Sequence, residues 1–134
     1  MWLLQRRGLV LLVVAFVGLQ GCRTAEQSAK LEELQALAQE VPRFPDFKQV
    51  HYQDISKSGM ALVTYYYQSP SNFDQVTEFY TKELPAKGWT LEQQEGWWSE
   101  KGSPITFRKG NYKIVVTRDD IMRWQYTIDF SWRS

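Results

Sequence analysis

The apolar residues beyond residue 24 change their spacing along the chain, and each spacing predicts a different element. Between residues 25 and 41 they recur every three or four positions, which is the period of an amphipathic helix. Pro42 and Pro45 end this helix, because proline lacks an amide hydrogen and restricts the residue before it. Residues 42–45 are therefore predicted to form a stiff linker, and we place the folded domain after them.

A second helix is predicted to begin at Ser71, which forms an acidic variant of the capping box with Asp74. The residues that follow are apolar at helical spacing. Pro85 and Gly88 are predicted to close this helix, because both residue types disfavour the helical interior.

Short aromatic or alternating runs predict strands on both sides of the second helix. The last run alternates most clearly, since Trp124, Tyr126, Ile128, Phe130 and Trp132 are expected to share one face of a half-buried antiparallel strand. The predicted strands are residues 47–54, 59–68, 89–94, 105–109, 112–118 and 124–133, with a short strand or loop at residues 97–100.

The order of these elements predicts an α+β fold. An antiparallel sheet with the order β-β-α-β-β-β-β packs one helix on a face, and an N-terminal amphipathic helix precedes it. We divide the chain into a leader at residues 1–21, a lipidated tether with helix and Pro-rich linker at 22–45, and an α+β domain at 46–134.

Several structural motifs resemble those of small uncharacterised bacterial lipoprotein domains. They are the Tyr-rich strand, the Phe79-Tyr80 pair, the Gly88-Trp89 pair, the Gly-turn hairpin and the terminal aromatic strand. The resemblance covers most of residues 46–133, and it implies no activity because its motifs are structural.

The first residues have the parts of a secretory leader. Arg6 and Arg7 are positive, and residues 8–19 form an apolar run of about a dozen residues, too short to span a bilayer. The run ends in Leu19-Gln20-Gly21-Cys22, which resembles the lipobox of bacterial lipoproteins. Gln20 is a less usual residue at its position.

This resemblance implies that a signal peptidase cuts between Gly21 and Cys22, and that fatty acids such as palmitate are attached at Cys22. The alternatives are an uncleaved anchor or an ordinary leader that leaves Cys22 as a free thiol. Cys22 is the only cysteine, so acylation would remove an otherwise exposed thiol. Because Arg23 is not the Asp that retains lipoproteins in the inner membrane, the resemblance implies the outer membrane, on its periplasmic face, if the organism is Gram-negative.

Composition and motifs argue against most kinds of chemistry. Without residues 1–21 the chain has 15 acidic and 14 basic residues, and it has no basic stripe, which argues against nucleic acid as a partner. His51 is the only histidine, so neither a zinc site nor a histidine-activated nucleophile is indicated. Asp119 and Asp120 are interpreted as turn residues. We therefore predict no enzyme, no metal and no cofactor.

Aromatic side chains are the remaining candidates for a binding surface. Trp97 and Trp98 are adjacent, so in a strand they point to opposite faces and only one enters the core. The other is free to stack on a sugar, contact a protein or lie in the headgroup layer, or it packs under a loop. Tyr65 and Tyr67 share one face of the second strand and have the same alternatives.

These features favour a non-enzymatic, membrane-anchored binding or accessory module of the bacterial cell envelope, with an envelope protein as its partner. The alternative is a small-ligand or glycan-binding lipoprotein with an aromatic-lined cleft. The apolar stripe from Leu31 to Val41 either packs on the sheet or pairs with a partner helix. An exposed apolar patch would favour the partner, whereas a concave aromatic pocket would favour the ligand.

Overall fold

A computed structural model describes residues 24–92, 104–119 and 124–134, and these residues fold as an α+β structure. Among them, no helix is long and apolar enough to cross a membrane. The elements are α1 (Ala25–Glu40), β1 (Lys48–Lys57), β2 (Met60–Gln68), α2 (Phe73–Ala86), β3 (Thr90–Leu91), β4 (Ile105–Lys109), β5 (Tyr112–Arg118) and β6 (Tyr126–Arg133).

The strands form one six-stranded antiparallel sheet with the order β1-β2-β6-β5-β4-β3. The predicted α+β class and antiparallel sheet are confirmed. The hairpin turns lie at Gly59 and Gly110, whose φ angles of 73° and 58° are in the left-handed region that glycine adopts without strain. β6 lies in the middle of the sheet, between β2 and β5.

Helix α1 packs on the sheet. Its first turn is closed by a capping box between Thr24 and Gln27. Leu31 and Leu34 are buried in the same core as the strands, and α1 contacts β1, β2 and β6. Ala61 of β2 is fully buried, and its small side chain permits a close approach of the helix. The structure thus places the Leu31 end of the apolar stripe on the sheet rather than free for a partner.

The second capping box lies one residue later than the sequence motif predicts. The amide of Gln75 donates to Asn72, and the Gln75 side chain accepts from the Asn72 amide, so Asn72 is the N-cap. The expected box of Ser71 and Asp74 is wrong, because the Ser71 hydroxyl instead donates to the carboxylate of Asp46.

Pro85 lies inside the last turn of α2 rather than ending the helix. The end comes at Gly88, which has a φ of 89°. The amide of Gly88 donates to the carbonyl of Pro85, and the amide of Trp89 donates to the carbonyl of Leu84. This is the hydrogen-bond pattern of a Schellman motif, in which glycine takes the left-handed position.

The two faces of the sheet differ in what covers them. One face packs under α1 and α2, and we call it the covered face. The other face, which we call the open face, carries the strand residues that alternate with those of the covered face. The covered face holds Ala61, Val63, Tyr65 and Tyr67 of β2, Tyr126, Ile128 and Phe130 of β6, Ile114 and Val116 of β5, and Ile105 and Phe107 of β4.

Four strand predictions need correction or fall outside the described residues. β1 extends to Lys57, three residues further than predicted. Trp124 precedes β6 and contacts Tyr66 on the open face, so it does not share the face of Tyr126. The described part of the strand predicted at 89–94 is only β3, and residues 97–100 lie outside the described residues.

Candidate functional site

A cavity of about 330 Å³ lies between the C-terminal end of α1 and the covered face of the sheet. Ala38 and Val41 border it on the helix side, and the segment after the helix adds Arg43. The sheet and α2 contribute the aromatic and apolar residues Tyr65, Tyr67, Tyr80, Ile128 and Phe130.

The cavity arises because the helix becomes smaller and then ends above large aromatic residues. Leu31 and Leu34 fill the space over the sheet nearer the start of α1, where both are buried. Further along, Ala38 offers only a methyl group, and α1 stops at Glu40 before Pro42. The space that a longer side chain would fill therefore stays open above the two tyrosines of β2.

The tyrosines that line the cavity are held by their aromatic neighbours. The Tyr65 ring stands edge-on to Phe130, with centroids 5.8 Å apart, and the Tyr67 ring stacks on Phe47 at 4.9 Å. The Tyr65 and Tyr67 rings are themselves 6.4 Å apart and nearly parallel. Such contacts fix ring orientation in addition to burying area, so this part of the cavity is preformed.

Arg43 supplies the positive charge of the cavity. Its guanidinium carbon lies 5.3 Å from the centroid of the Tyr67 ring, within the range of a cation–π contact. One of its nitrogens also donates to the side-chain oxygen of Gln49 at 3.3 Å. Neither Asp nor Glu is among the residues that line the cavity, so the described site is cationic.

The tyrosine hydroxyls of the cavity stay protonated to a higher pH than an exposed tyrosine would. Burial raises the pKa of Tyr65, Tyr67 and Tyr80 above the ordinary value, and for all three the positive charge of Arg43 offsets part of the effect. The hydroxyl of Tyr80 accepts a hydrogen bond from the Phe44 amide at 3.1 Å. The Tyr65 hydroxyl has no hydrogen-bond partner within the described part of the chain. A ligand with acceptor oxygens would therefore meet hydroxyl donors and a cation.

The structure brings together two of the four predicted binding-surface residues. Tyr65 and Tyr67 both line the cavity, whereas Trp97 and Trp98 lie outside the described residues. Gly21 and Cys22, the predicted cleavage and lipidation residues, also lie outside them.

Sequence reasoning missed Arg43 and Tyr80. Arg43 lies in the predicted stiff linker, where it is the only charged residue between Pro42 and Pro45, and that isolation is the available signal. Tyr80 is one of the apolar residues at helical spacing that predict the second helix, and nothing in that spacing distinguishes a core tyrosine from a cavity tyrosine.

The open face carries a second aromatic group, made by His51, Tyr66 and Trp124. The Tyr66 and Trp124 ring centroids are 4.4 Å apart, and His51 stacks on Trp124 at 6.2 Å. No group of three or more potential metal ligands occurs among the residues that the structure describes. His51 is exposed on β1, and its described contacts are aromatic rather than catalytic.

Comparison with known proteins identifies the family. A family model described as START domain-like matches residues 51–119, slightly more than half of the chain. The chain belongs to the START domain-like family. The match begins in β1 and ends just after β5, so it includes Tyr65, Tyr67 and Tyr80 of the cavity. No curated protein and no solved structure matches this START domain-like chain.

Proposed function

We propose that this START domain-like protein is a non-enzymatic, membrane-anchored module that binds a small ligand in the cavity beneath α1. The observation that supports it is the combination of a preformed aromatic cavity with the cation Arg43 and the hydroxyl of Tyr65, which has no hydrogen-bond partner among the described residues. Ligand sites are typically concave and apolar, with a few polar groups that fix orientation. The cavity lining combines aromatic rings with tyrosine hydroxyls and one guanidinium, and its volume of about 330 Å³ suits a small molecule that carries polar groups.

The chemistry of the cavity indicates the class of ligand. Stacked rings and aliphatic side chains favour an aromatic or short acyl body. Arg43 and the hydroxyl of Tyr65 favour a carboxylate or phosphate at one end, because a guanidinium binds such oxygens with strong, directed hydrogen bonds. The ligand that fits is therefore a small acidic amphiphile rather than a neutral sugar.

The membrane anchor is the second part of the proposal. The lipobox resemblance supports acylation of Cys22 and a place in the bacterial cell envelope. Several acyl chains would hold the protein permanently, whereas a single chain binds only marginally. The module would then present its cavity beside the bilayer.

Binding of an envelope protein receives less support from the described surface. Leu31 and Leu34 of the helix stripe are buried against the sheet. The exposed large apolar residues Val50, Ile55 and Leu91 are single side chains of β1 and β3, and single exposed apolar residues are normal on soluble surfaces. The described surface therefore favours the ligand over the partner protein.

The proposal is tested with the full-length acylated protein in lipid nanodiscs and 4-phenylbutyrate as the probe. This probe combines an aromatic ring, a short chain and a carboxylate. Saturation-transfer NMR, with empty nanodiscs subtracted, is expected to show binding. Arg43→Gln should weaken the affinity about 10- to 100-fold, because it removes a charged hydrogen bond.

Two further variants show whether the cavity is the site. Ala38→Leu fills the cavity from α1 and should abolish binding while the helix is retained, since leucine favours helices. Lys48→Gln removes an exposed cation outside the cavity and should leave binding unchanged. Absence of binding by the native protein, or equal binding by the Ala38→Leu variant, would contradict the proposal.

A further inference from the structure

Four basic residues lie on the open face of the sheet, and we call them the basic corner: Lys57, Arg108, Lys113 and Arg133. Their positions follow from the register. Arg108 of β4 is directly opposite Lys113 of β5, and Met60 of β2 lies between Lys57 of β1 and Arg133 of β6. Phe107 and Ile114, next to Arg108 and Lys113 along their strands, are buried on the covered face. Lys57 and Arg133 both pair with Met60, whose neighbour Ala61 is buried on that face, so the four basic positions share the open face.

This arrangement of charge is unfavourable for the isolated domain. Like charges directly opposite each other on neighbouring strands destabilise a sheet, and Arg108 and Lys113 are such a pair. Arg108 is compensated by an ion pair with Glu92. Lys113 and Arg133 form no ion pair with any residue that the structure describes.

The corner encloses a groove rather than a flat surface. A cavity of about 500 Å³ is bordered by Arg108, Lys113 and Arg133 together with Met60 and Leu62. Asp129 is the only carboxylate among its lining residues. That carboxylate accepts the hydroxyl hydrogen of Thr64 at 2.6 Å. The groove therefore offers three cations and the three apolar side chains of Met60, Leu62 and Val115 to an occupant.

The basic corner lies next to the start of α1. Thr24, at the N-cap of α1, lines a small cavity together with Lys57 and Met60. The hydroxyl of Ser56 donates to the carbonyl of Gln27 at 3.3 Å, which joins the β1–β2 hairpin to the first turn of the helix. Cys22 precedes Thr24 by two residues, so an extended chain separates them by about 7 Å at most.

We propose that the basic corner binds the phosphate groups of anionic lipids in the same bilayer that holds the acyl chains of Cys22. The inference rests on the membrane anchoring proposed above. Near an anionic bilayer surface, each Lys or Arg raises the binding affinity by roughly five-fold. Lys57, Lys113 and Arg133, which form no ion pair with any described residue, therefore add a strong orienting force close to the anchor. The open face then lies toward the membrane, and the covered face with its cavity lies away from it.

The test measures the orientation of the full-length acylated protein on vesicles. Because Cys22 is the only native cysteine and is acylated in the proposal, one introduced cysteine gives a unique site for a bimane label. Ile55→Cys places the label on the open face, and Glu32→Cys places it on the exposed side of α1. The neutral quencher acrylamide then reports how accessible each label is.

The expected result depends on lipid charge. With a third of the phosphatidylcholine replaced by phosphatidylglycerol, quenching at Ile55→Cys should fall by about two-fold or more, and quenching at Glu32→Cys should not change. Lys113→Gln with Arg133→Gln should abolish the difference. Lys48→Gln with Lys82→Gln makes the same change in net charge away from the corner and should preserve it. Concentrated salt should also abolish the protection.

Vesicle flotation separates this inference from the anchor. Flotation with both lipids and equal quenching of the open-face label would overturn the basic corner and leave the anchor intact. Flotation only with phosphatidylglycerol, lost in the Lys113→Gln and Arg133→Gln variant, would support the corner and overturn the anchor. Flotation with neither lipid would overturn both.

Discussion

The covered and open faces of the same sheet are built from alternate residues of the same strands, yet their chemistry differs. In β2, Tyr65 and Tyr67 point into the helix layer, while Tyr66 between them points to the open face and donates to Gln53. The covered face is aromatic and closely packed under Leu31 and Leu34, and it opens into cavities along α1, one of which lies above Tyr65 and Tyr67. The open face carries hydroxyls, amides and cations, of which Lys113 and Arg133 form no ion pair with a described residue. The period of two residues thus lets one strand serve two environments.

The difference shows which residues stabilise the fold and which are available for binding. On the covered face, burial of large side chains provides most of the stability, and the cavity is a local gap in that packing. On the open face, the opposed charges of Arg108 and Lys113 reduce stability. The same substitution made on the two faces should therefore change the free energy of unfolding by different amounts.

The largest effect is expected from Leu34→Ala on the covered side. Leu34 is fully buried under α1, so truncation removes apolar contacts and leaves a cavity, lowering the free energy of unfolding by about 2–5 kcal/mol. Leu62→Ala makes the same chemical change on the open face, where Leu62 is only partly buried, and should cost clearly less. Urea unfolding of both variants measures the two free energies of unfolding. Equal decreases in Leu34→Ala and Leu62→Ala would contradict the expected difference between the faces.

A smaller effect is expected from Tyr80→Phe. The hydroxyl of Tyr80 accepts the Phe44 amide hydrogen, and its loss leaves that partly buried donor without a partner, at a cost of about 1–3 kcal/mol. Tyr66→Phe on the open face removes an exposed bond to Gln53 and should be nearly neutral. Thermal unfolding by circular dichroism compares the two, and a neutral Tyr80→Phe would show that water replaces the bond.

Lys113→Gln should raise stability. It removes one member of the opposed pair with Arg108, and the free energy of unfolding is expected to rise by about 0.2–1 kcal/mol. The gain should shrink in concentrated salt, because exposed charges are screened. Lys48→Gln removes an exposed cation at the first residue of β1, far along that strand from the basic corner, and should not raise the free energy of unfolding. A loss of stability in Lys113→Gln would mean that the lysine has a structural partner.

The smallest effect is expected from Asp129→Asn, and it depends on pH. Burial raises the pKa of Asp129 above 3.8, although the hydrogen bond from Thr64 offsets part of this. The folded state therefore binds the proton more tightly than the unfolded state, and stability is lost as the pH rises from about 3.8 through the folded pKa. Asparagine keeps the acceptor without the charge. The free energy of unfolding of the Asp129→Asn variant should therefore rise relative to that of the native protein over this pH range. The same pH dependence of unfolding in both proteins would contradict this.

The fold was predictable largely because its signals are local. The alternation at Tyr126, Ile128 and Phe130 and the Gly110 turn each depend on neighbouring residues, and the structure confirms them. The position of Trp124 was not predictable, because alternation holds only inside a strand and β6 begins two residues later. Likewise, Ser71 carries the capping signal, but its hydroxyl is bound by the distant Asp46.

The candidate site was only half predictable, for a different physical reason. The shared face of Tyr65 and Tyr67 follows from strand periodicity. The cavity itself depends on where α1 ends above these tyrosines and on the contact of Arg43 with the Tyr67 ring. Both are contacts between residues far apart in the sequence, and the spacing of apolar residues does not predict them. The basic corner has the same origin, since its four residues come from four strands and meet only through the register.

The central place of β6 has a consequence for how the chain is made. Residues 126–133 pair with β2 on one side and β5 on the other, although both of those strands precede β6 in the sequence. During synthesis the β1–β2 and β4–β5 hairpins emerge first, and isolated hairpins are at best marginally stable in water. The sheet cannot close until β6 has left the ribosome. Until then, β2 and β5 each lack the neighbour that joins the two hairpins into one sheet.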